Sequence, residues 1–175
     1  WRPQVDSTWG RHFCGAPVRN TRKSPRHPVD ISEEDGVRYL HFGSDWVQGA
    51  MRIARPWSLE LAYTREMMAG LLLRPPSAWP RTALLVGLGA GSLAKFIYRY
   101  LPDCRITVVE INPQVEFIAR QFFKLPDDAQ RLDVLIGCGA DYMLSGGKTF
   151  DCILVDGFDP EARTGPLDTL PFYQA

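Results

Sequence analysis

Hydrophobic and polar residues follow no regular period over residues 1–30, where Pro3, Pro17, Pro25 and Pro28 interrupt a basic, polar stretch. Such a segment has no continuous face to bury and reads as an extended arm. A period appears after Gly36. Val37-Arg38-Tyr39-Leu40-His41-Phe42 and the run from Trp46 to Ile53 are strand-like, with Gly43-Ser44-Asp45 as a turn between them. Together they predict a β-hairpin that ends at Pro56. Ser58 stands where it can cap a helix covering about Leu59 to Leu73, with Leu61, Ala62, Met68, Leu71 and Leu72 near helical spacing. Pro75, Pro76 and Pro80 mark a break.

Beyond the prolines the pattern alternates. Ala83-Leu84-Leu85-Val86 is a short, continuously apolar run, as expected of a strand covered on both faces in a parallel sheet. Gly87-Leu88-Gly89-Ala90-Gly91 follows, then a helix from about Ser92 to Leu101. Arg105 to Glu110 is the next strand, and Asn112-Pro113 is a cap and first position for a helix through Phe123. Leu132 to Ile136 and Phe150 to Val155 are further strands, separated by a short helix around Asp141 to Leu144. This strand–helix series predicts an α/β fold with a doubly wound parallel sheet. The chain stops at Ala175, after Phe172-Tyr173 begins what reads as another helix. Sheets of this kind usually carry more strands, so the chain reads as a C-terminally incomplete fragment. Three units are expected: an arm over 1–30, a β-hairpin region over 31–57 and a nucleoside-binding domain over 58–175.

Composition narrows the picture. Of 175 residues, 45% are hydrophobic and 23% charged, which excludes wholesale disorder. Basic and acidic residues number 20 each, so there is no general basic surface for nucleic acid. The balance is uneven, because residues 1–30 hold six basic and two acidic residues and the body holds 14 and 18. No apolar run approaches the ~20 residues of a membrane span, and no signal-peptide pattern opens the chain. The four cysteines have no paired spacing, which favours a reducing cytoplasm over a disulfide framework. His12, Cys14 and His27 lack a second ligand pair, so no metal site is expected.

Two groups of residues carry candidate chemistry. Gly87-x-Gly89-x-Gly91 lies between a strand and a helix, where glycines allow close backbone approach and a helix start offers free N–H groups. Glu110 lies at the end of the next strand, where an acid accepts hydrogen bonds from a ribose diol. A dinucleotide fingerprint would place its third glycine at Ser92, so a nucleoside without a pyrophosphate is favoured over a nicotinamide cofactor. The bland alternative is a turn beside a solvated glutamate. The second group is Asp156-Gly157-Phe158-Asp159-Pro160, directly after the last strand and on the same edge of the sheet. A carboxylate there orients a cationic amine or takes its proton, and the plain alternative is a turn.

These residues resemble the spermidine synthase family of polyamine aminopropyltransferases. The resemblance runs from about Ile31 onward through Phe42-Gly43-Ser44-Asp45-Trp46-Val47-Gln48, Glu66-Met67-Met68, the Leu85 to Gly91 stretch, Val109-Glu110-Ile111-Asn112, Val155 to Pro160, Gly165-Pro166 and Phe172-Tyr173. It implies an S-adenosylmethionine-dependent methyltransferase-like fold behind a small N-terminal β-hairpin region. It implies decarboxylated S-adenosylmethionine as co-substrate, no tightly bound cofactor and a diamine such as putrescine as acceptor. The hairpin region and the open sheet edges separately invite pairing with another chain, so a homo-oligomer, a dimer, is expected. By that resemblance Gln48, Gly87, Gly89, Glu110, Cys138, Gly139 and Pro166 contact the donor. Asp156 is the acid–base residue, and Asp159 helps to hold the amine.

The chain departs from the family pattern at four places, one of them a longer loop from Asp159 to Gly165-Pro166. Ala90 and Cys138 stand where the family carries aspartates, and a donor-contacting tyrosine aligns with Thr64, beside Tyr63. Loss of two carboxylates weakens selectivity for a dicationic amine and for the decarboxylated donor. Two rivals therefore stay open: an S-adenosylmethionine-dependent methyltransferase, and a non-catalytic binding or assembly protein. Trp46 and Trp57 are expected to pack under the hairpin rather than line a substrate pocket, Cys138 to be structural rather than reactive, and Arg74, Arg81 and Arg99 to be a solvated rim rather than a phosphate site.

Overall fold

A computed structural model describes residues 28–158 and 163–174. Most of the predicted basic arm, with His12, Cys14 and His27, and also Asp159, lies outside the described residues.

The N-terminal unit is an antiparallel sheet of three strands, β1 (Val29–Glu34), β2 (Val37–Phe42) and β3 (Val47–Arg52), in that order. The sequence reading anticipates β2 and β3 and misses β1. Its side chains are mostly exposed, and it carries Asp30, Glu33 and Glu34, so no apolar alternation marks it. The local signal is the turn. Asp35 and Gly36 take φ of 49° and 73° between paired Glu34 and Val37, the two-residue geometry that an Asp-Gly step favours. Leu40 and Met51 form the buried face of this unit and pack with Ala90 and Phe123 of the following domain.

Helix α1 (Ala62–Ala69) starts later than the Ser58 cap predicts, and a 3-10 turn over Gly70–Leu73 extends it. The Arg65 guanidinium explains the late start. It donates to the carbonyls of Leu59 and Glu60 at 2.9 and 2.8 Å, and the Thr64 hydroxyl donates to Leu61 O at 2.6 Å. Side chains thus take the acceptors that an earlier helical turn would use.

The second unit is a parallel sheet of β4 (Thr82–Val86), β5 (Arg105–Glu110), β6 (Leu132–Ile136) and β7 (Cys152–Val155), in the order β6-β5-β4-β7. Four of the five β4 residues are buried, as the continuous apolar run requires. On one face Ala83, Leu85, Ile106 and Val108 pack against α2 (Ser92–Tyr100) and α3 (Pro113–Phe122). On the other, Leu84, Val86 and Val109 meet Tyr142 and Met143 of α4 (Gly139–Leu144), with Phe150 and Leu167. Asn112 caps α3 as expected, its side-chain oxygen accepting from Gln114 N at 3.0 Å. A short helix α5 (Leu170–Gln174) follows a 3-10 turn at Gly165–Leu167.

Successive connections place β5 and β6 to one side of β4 and β7 to the other. The order in which strands are added therefore reverses between β4 and β7, which stay parallel, and open α/β sheets bind ligands at such a point. Asp151 sets the register there. Its Oδ2 accepts from Arg81 N, Thr82 N and the Thr82 hydroxyl at 2.9, 3.0 and 3.1 Å. These hydrogen bonds hold its carboxyl below the ordinary aspartate value. With the strand bases fixed, Val155 pairs with Val86, and Asp156 emerges beside Gly87.

Trp57 stacks on Tyr98 with ring centroids 6.4 Å apart, while Trp46 is 60% exposed, contrary to the packed position expected for it. Arg74, Arg81 and Arg99 are exposed. No helix among the described residues is long and apolar enough to cross a membrane, and none of their His, Cys, Asp or Glu side chains cluster as a metal site.

Candidate active site

The carboxyl ends of β4, β5 and β7 open onto one crevice. Glu110 ends β5 and is only 7% exposed, which rules out the solvated-glutamate alternative. Its Oε2 accepts from Leu88 N at 2.9 Å and its Oε1 from Asn112 N at 2.8 Å. Burial pushes its carboxyl above the ordinary value, and the N–H groups of Asn112, Leu88 and Ile111 oppose that rise. Glu110 thereby ties the glycine loop to the start of α3. The loop itself is tight: Gly87, Gly89 and Gly91 all have positive φ, and Gly91 N donates to Leu88 O at 2.9 Å.

The N-terminal sheet lies directly over this loop. A Cβ placed on Gly89 would stand 3.2 Å from Gln48 O, and one on Gly49 would stand 2.6 Å from the Ala90 Cβ. Gly49 lets β3 approach the loop, and Ala90 fills the contact, buried. The Ser92 hydroxyl adds a hydrogen bond to Ala50 O at 3.1 Å.

Asp156 follows β7, with its backbone N donating to Val86 O at 2.8 Å. Its Oδ2 accepts from the Tyr63 hydroxyl at 3.1 Å. Burial raises the carboxyl above the ordinary aspartate value, and the Tyr63 hydrogen bond opposes it. The Tyr63 hydroxyl is raised in turn, by burial first and by the Asp156 charge second. Tyr63, Asp156, Gly49, Gly87, Leu88, Ala90 and Ser92 line one small pocket.

Gln48, Glu110 and Asp156 thus all border the loop that holds Gly87 and Gly89, and Gly87 and Asp156 line the same pocket. Cys138 and Gly139 lie at the end of β6, half-buried. A Cβ on Gly139 would meet Val86 Cγ1 at 2.3 Å and Leu167 Cδ2 at 3.7 Å. Pro166 is exposed in the turn that carries Leu167, and Leu167 Cδ1 stands 2.6 Å from where a Cβ on Gly157 would lie. The residue that the alignment passes over is Tyr63. Thr64 is 1% exposed and turned into the protein, so the tyrosine that reaches the crevice is its neighbour. One residue rotates a helical position by about 100°, and the buried requirement at Thr64 is the signal that selects Tyr63.

Comparison with known proteins adds a family and a fold. The family model described as "Spermine/spermidine synthase domain" matches residues 60–175. A polyamine aminopropyltransferase of Neisseria meningitidis serogroup A is 44% identical over 160 residues, covering 90% of this chain and 60% of the relative. The chain therefore spans about 60% of that relative's length. A probable spermidine synthase from Corynebacterium glutamicum superposes with a TM-score of 0.68 at 18% identity, over 83% of this chain and 54% of that one. It supports the fold alone. Human methyltransferase-like protein 13, solved in complex with SAH, superposes with a TM-score of 0.57 at 33% identity, over 65% of this chain and 58% of that one. The sheet is thus of the methyltransferase-like α/β kind, preceded by an antiparallel strand region.

Proposed function

Because this chain belongs to the spermine/spermidine synthase family, we propose that it transfers an aminopropyl group from decarboxylated S-adenosylmethionine to a polyamine such as putrescine. The observation that carries this reading is the pair of carboxylates on either side of Gly87, Glu110 buried and Asp156 half-buried. Glu110 receives a backbone N–H bond from Leu88 of the glycine loop and another from Asn112, and Asp156 receives the Tyr63 hydroxyl. One carboxylate suits a ribose diol and the other an amine.

In the reaction an amine nitrogen attacks the aminopropyl carbon beside the sulfonium. The new C–N bond forms as the C–S bond breaks, and the sulfur keeps the electron pair as the neutral thioether of 5′-methylthioadenosine. The attacking nitrogen must be uncharged, so its proton has to leave. Asp156 accepts that proton, and a carboxyl raised by burial is a stronger base than a solvated one. Glu110 and the glycine loop hold the nucleoside, with Gln48 from β3 above it. Cys138, Gly139 and Pro166 border the adenine end. The crevice supplies orientation, which contributes much of the rate in a displacement of this type. Asp159 is assigned to the second amine of the acceptor on the resemblance alone.

Removing the Tyr63 hydroxyl tests the pairing with Asp156. Tyr63→Phe leaves burial as the dominant influence on the carboxyl, so its proton affinity rises further. The acidic limb of the kcat profile is expected to move to higher pH, with about a ten-fold loss of rate on that limb, corresponding to about 1.4 kcal/mol. An unchanged limb would remove Tyr63 from the site.

A second reading is favoured by the apolar Ala90 contact and by the human methyltransferase-like neighbour. In it the donor is S-adenosylmethionine and the group moved is a methyl. The nucleoside product separates the two. Incubation with each donor and putrescine is expected to release 5′-methylthioadenosine from the decarboxylated donor. Release of S-adenosylhomocysteine from the carboxylated donor instead would replace the aminopropyl reading with the methyl one.

A further inference from the structure

Lys95 is 1% exposed and takes no part in the chemistry above. It lies in the first turn of α2, immediately after the glycine loop, and its backbone N donates to Gly91 O at 2.9 Å. Its Nζ donates to Phe123 O at 2.8 Å, at the far end of α3. The surrounding contacts are close. A Cβ on Gly91 would stand 2.9 Å from Leu125 Cδ1, two residues beyond Phe123, and Phe123 itself is fully buried.

These bonds close a ring. Glu110 accepts from Leu88 N in the glycine loop and from Asn112 N, and Asn112 caps α3. α3 runs to Phe123, Lys95 joins Phe123 to the first turn of α2, and Gly91 leads back to Leu88. Lys95 supplies the side-chain link between the two helices on the side away from Glu110. A ring of this kind ties the loop to α3 by two routes, and opening it at Lys95 leaves the Glu110 route and the packing of Gly91 on Leu125.

We propose that Lys95 is a positioning residue for the nucleoside, holding the glycine loop against α3 through its ammonium group so that nucleoside binding and protonation of Lys95 favour each other. The inference rests on the nucleoside-crevice reading given above. Its physical basis is that a charged donor makes a stronger hydrogen bond than a neutral amine, and that the carbonyl end of a helix favours a cation. A nucleoside that orders the loop holds Lys95 in place and so favours the ammonium. By linkage, the ammonium favours the nucleoside to the same degree.

The surroundings make this linkage measurable near neutral pH. Burial lowers the Lys95 ammonium from its ordinary value to about 7. The charged groups on the neighbouring elements are engaged elsewhere. On α3, Arg120 pairs with Glu116 at 2.9 Å and with Asp127 at 3.5 Å. From β2, Arg38 pairs with Glu33 at 2.5 Å and also donates to Phe122 O. Lys124 and Arg99 are exposed. The signs separate a functional link from a merely structural one. Above about 7 the folded chain releases a proton that the unfolded chain still holds, so this group's contribution to stability improves as pH rises. Nucleoside affinity is expected to fall over the same interval.

The test is calorimetric titration of the protein with 5′-methylthioadenosine between pH 6 and 8, in two buffers of different ionisation enthalpy. Uptake of a fraction of one proton per nucleoside is expected near pH 7, with the Kd rising about 5–10-fold from pH 6 to pH 8. Lys95→Arg keeps the charge at all these pH values, and is expected to bind with neither proton uptake nor that pH dependence. Lys95→Met is expected to bind weakly throughout, and the Arg variant carries the test if the Met variant does not fold. Binding by the wild-type protein without proton uptake, or uptake that persists in Lys95→Arg, overturns the assignment of Lys95 alone. Absence of binding at every pH overturns the nucleoside crevice and this inference with it.

Discussion

Asp156→Asn is expected to lower kcat for aminopropyl transfer by about 10²–10⁴-fold, the usual range for removing a positioned general base. Asparagine keeps the shape of the side chain and still accepts the Tyr63 hydroxyl through its carbonyl oxygen, so packing at the end of β7 is conserved. What it cannot do is take a proton. Nucleoside affinity should change little, because Glu110 and the glycine loop lie on the β5 side of Gly87. The pH profile supplies the second readout. Catalysis needs the carboxylate, and burial raises the pH at which it forms. The wild-type rate therefore climbs through an acidic limb lying above the ordinary aspartate range, and the variant should lose that limb. Release of 5′-methylthioadenosine under single-turnover conditions measures both effects. A kcat within three-fold of wild type, roughly 0.6 kcal/mol, would remove Asp156 from the proton transfer.

The largest structural effect is expected at Gly87. Its φ is +98°, and a Cβ there would stand 2.2 Å from Asp156 O and 2.8 Å from the Asp156 carbonyl carbon. Both neighbours are backbone, so neither can swing aside as a long side chain would. Gly87→Ala combines a strained backbone, about 1–2 kcal/mol, with an overpacked contact, about 1–3 kcal/mol. The main relief available is to part the ends of β4 and β7. Urea unfolding should show a loss of about 2–5 kcal/mol, and Asp156 should move away from the nucleoside side of the crevice. Gly146→Ala is the matched control, because its φ is +65° but nothing lies within 4 Å of the added Cβ. If the two substitutions cost the same, backbone conformation alone explains the loss and the contact with Asp156 has no role.

Much of this architecture is legible in the sequence, for identifiable reasons. The strands that build the parallel sheet are short apolar runs bounded by glycine or acidic residues, and their order fixes where Gly87, Glu110 and Asp156 emerge. The Asn112-Pro113 cap reads directly because both residues act locally. β1 is hard to read because an edge strand with Asp30, Glu33 and Glu34 buries little, and only the Asp35-Gly36 turn betrays it. The start of α1 is misread because Arg65 satisfies carbonyls several residues earlier, a contact that no window of hydrophobicity contains. Tyr63 is missed for a related reason. Alignment compares residue types, whereas the crevice selects the residue whose helical phase faces Asp156, and Thr64 is committed to the interior. Lys95 gives no sign in the sequence, where one lysine in an amphipathic helix reads as a surface residue.

The Asp151 clamp has a consequence for how the crevice comes into being. Its bonds join residues 70 positions apart, and they set the register that brings Asp156 to Gly87. β4 and β5 are separated by a much shorter stretch, from Val86 to Arg105. The entropy of closing a chain loop grows with its length, and distant pairings slow folding. Glu110 therefore belongs to the part of the sheet that closes at low entropic cost, and Asp156 to the part that closes at high cost. A chain emerging from the ribosome meets the two carboxylates in that same order, with Asp156 placed only after β7 has been made.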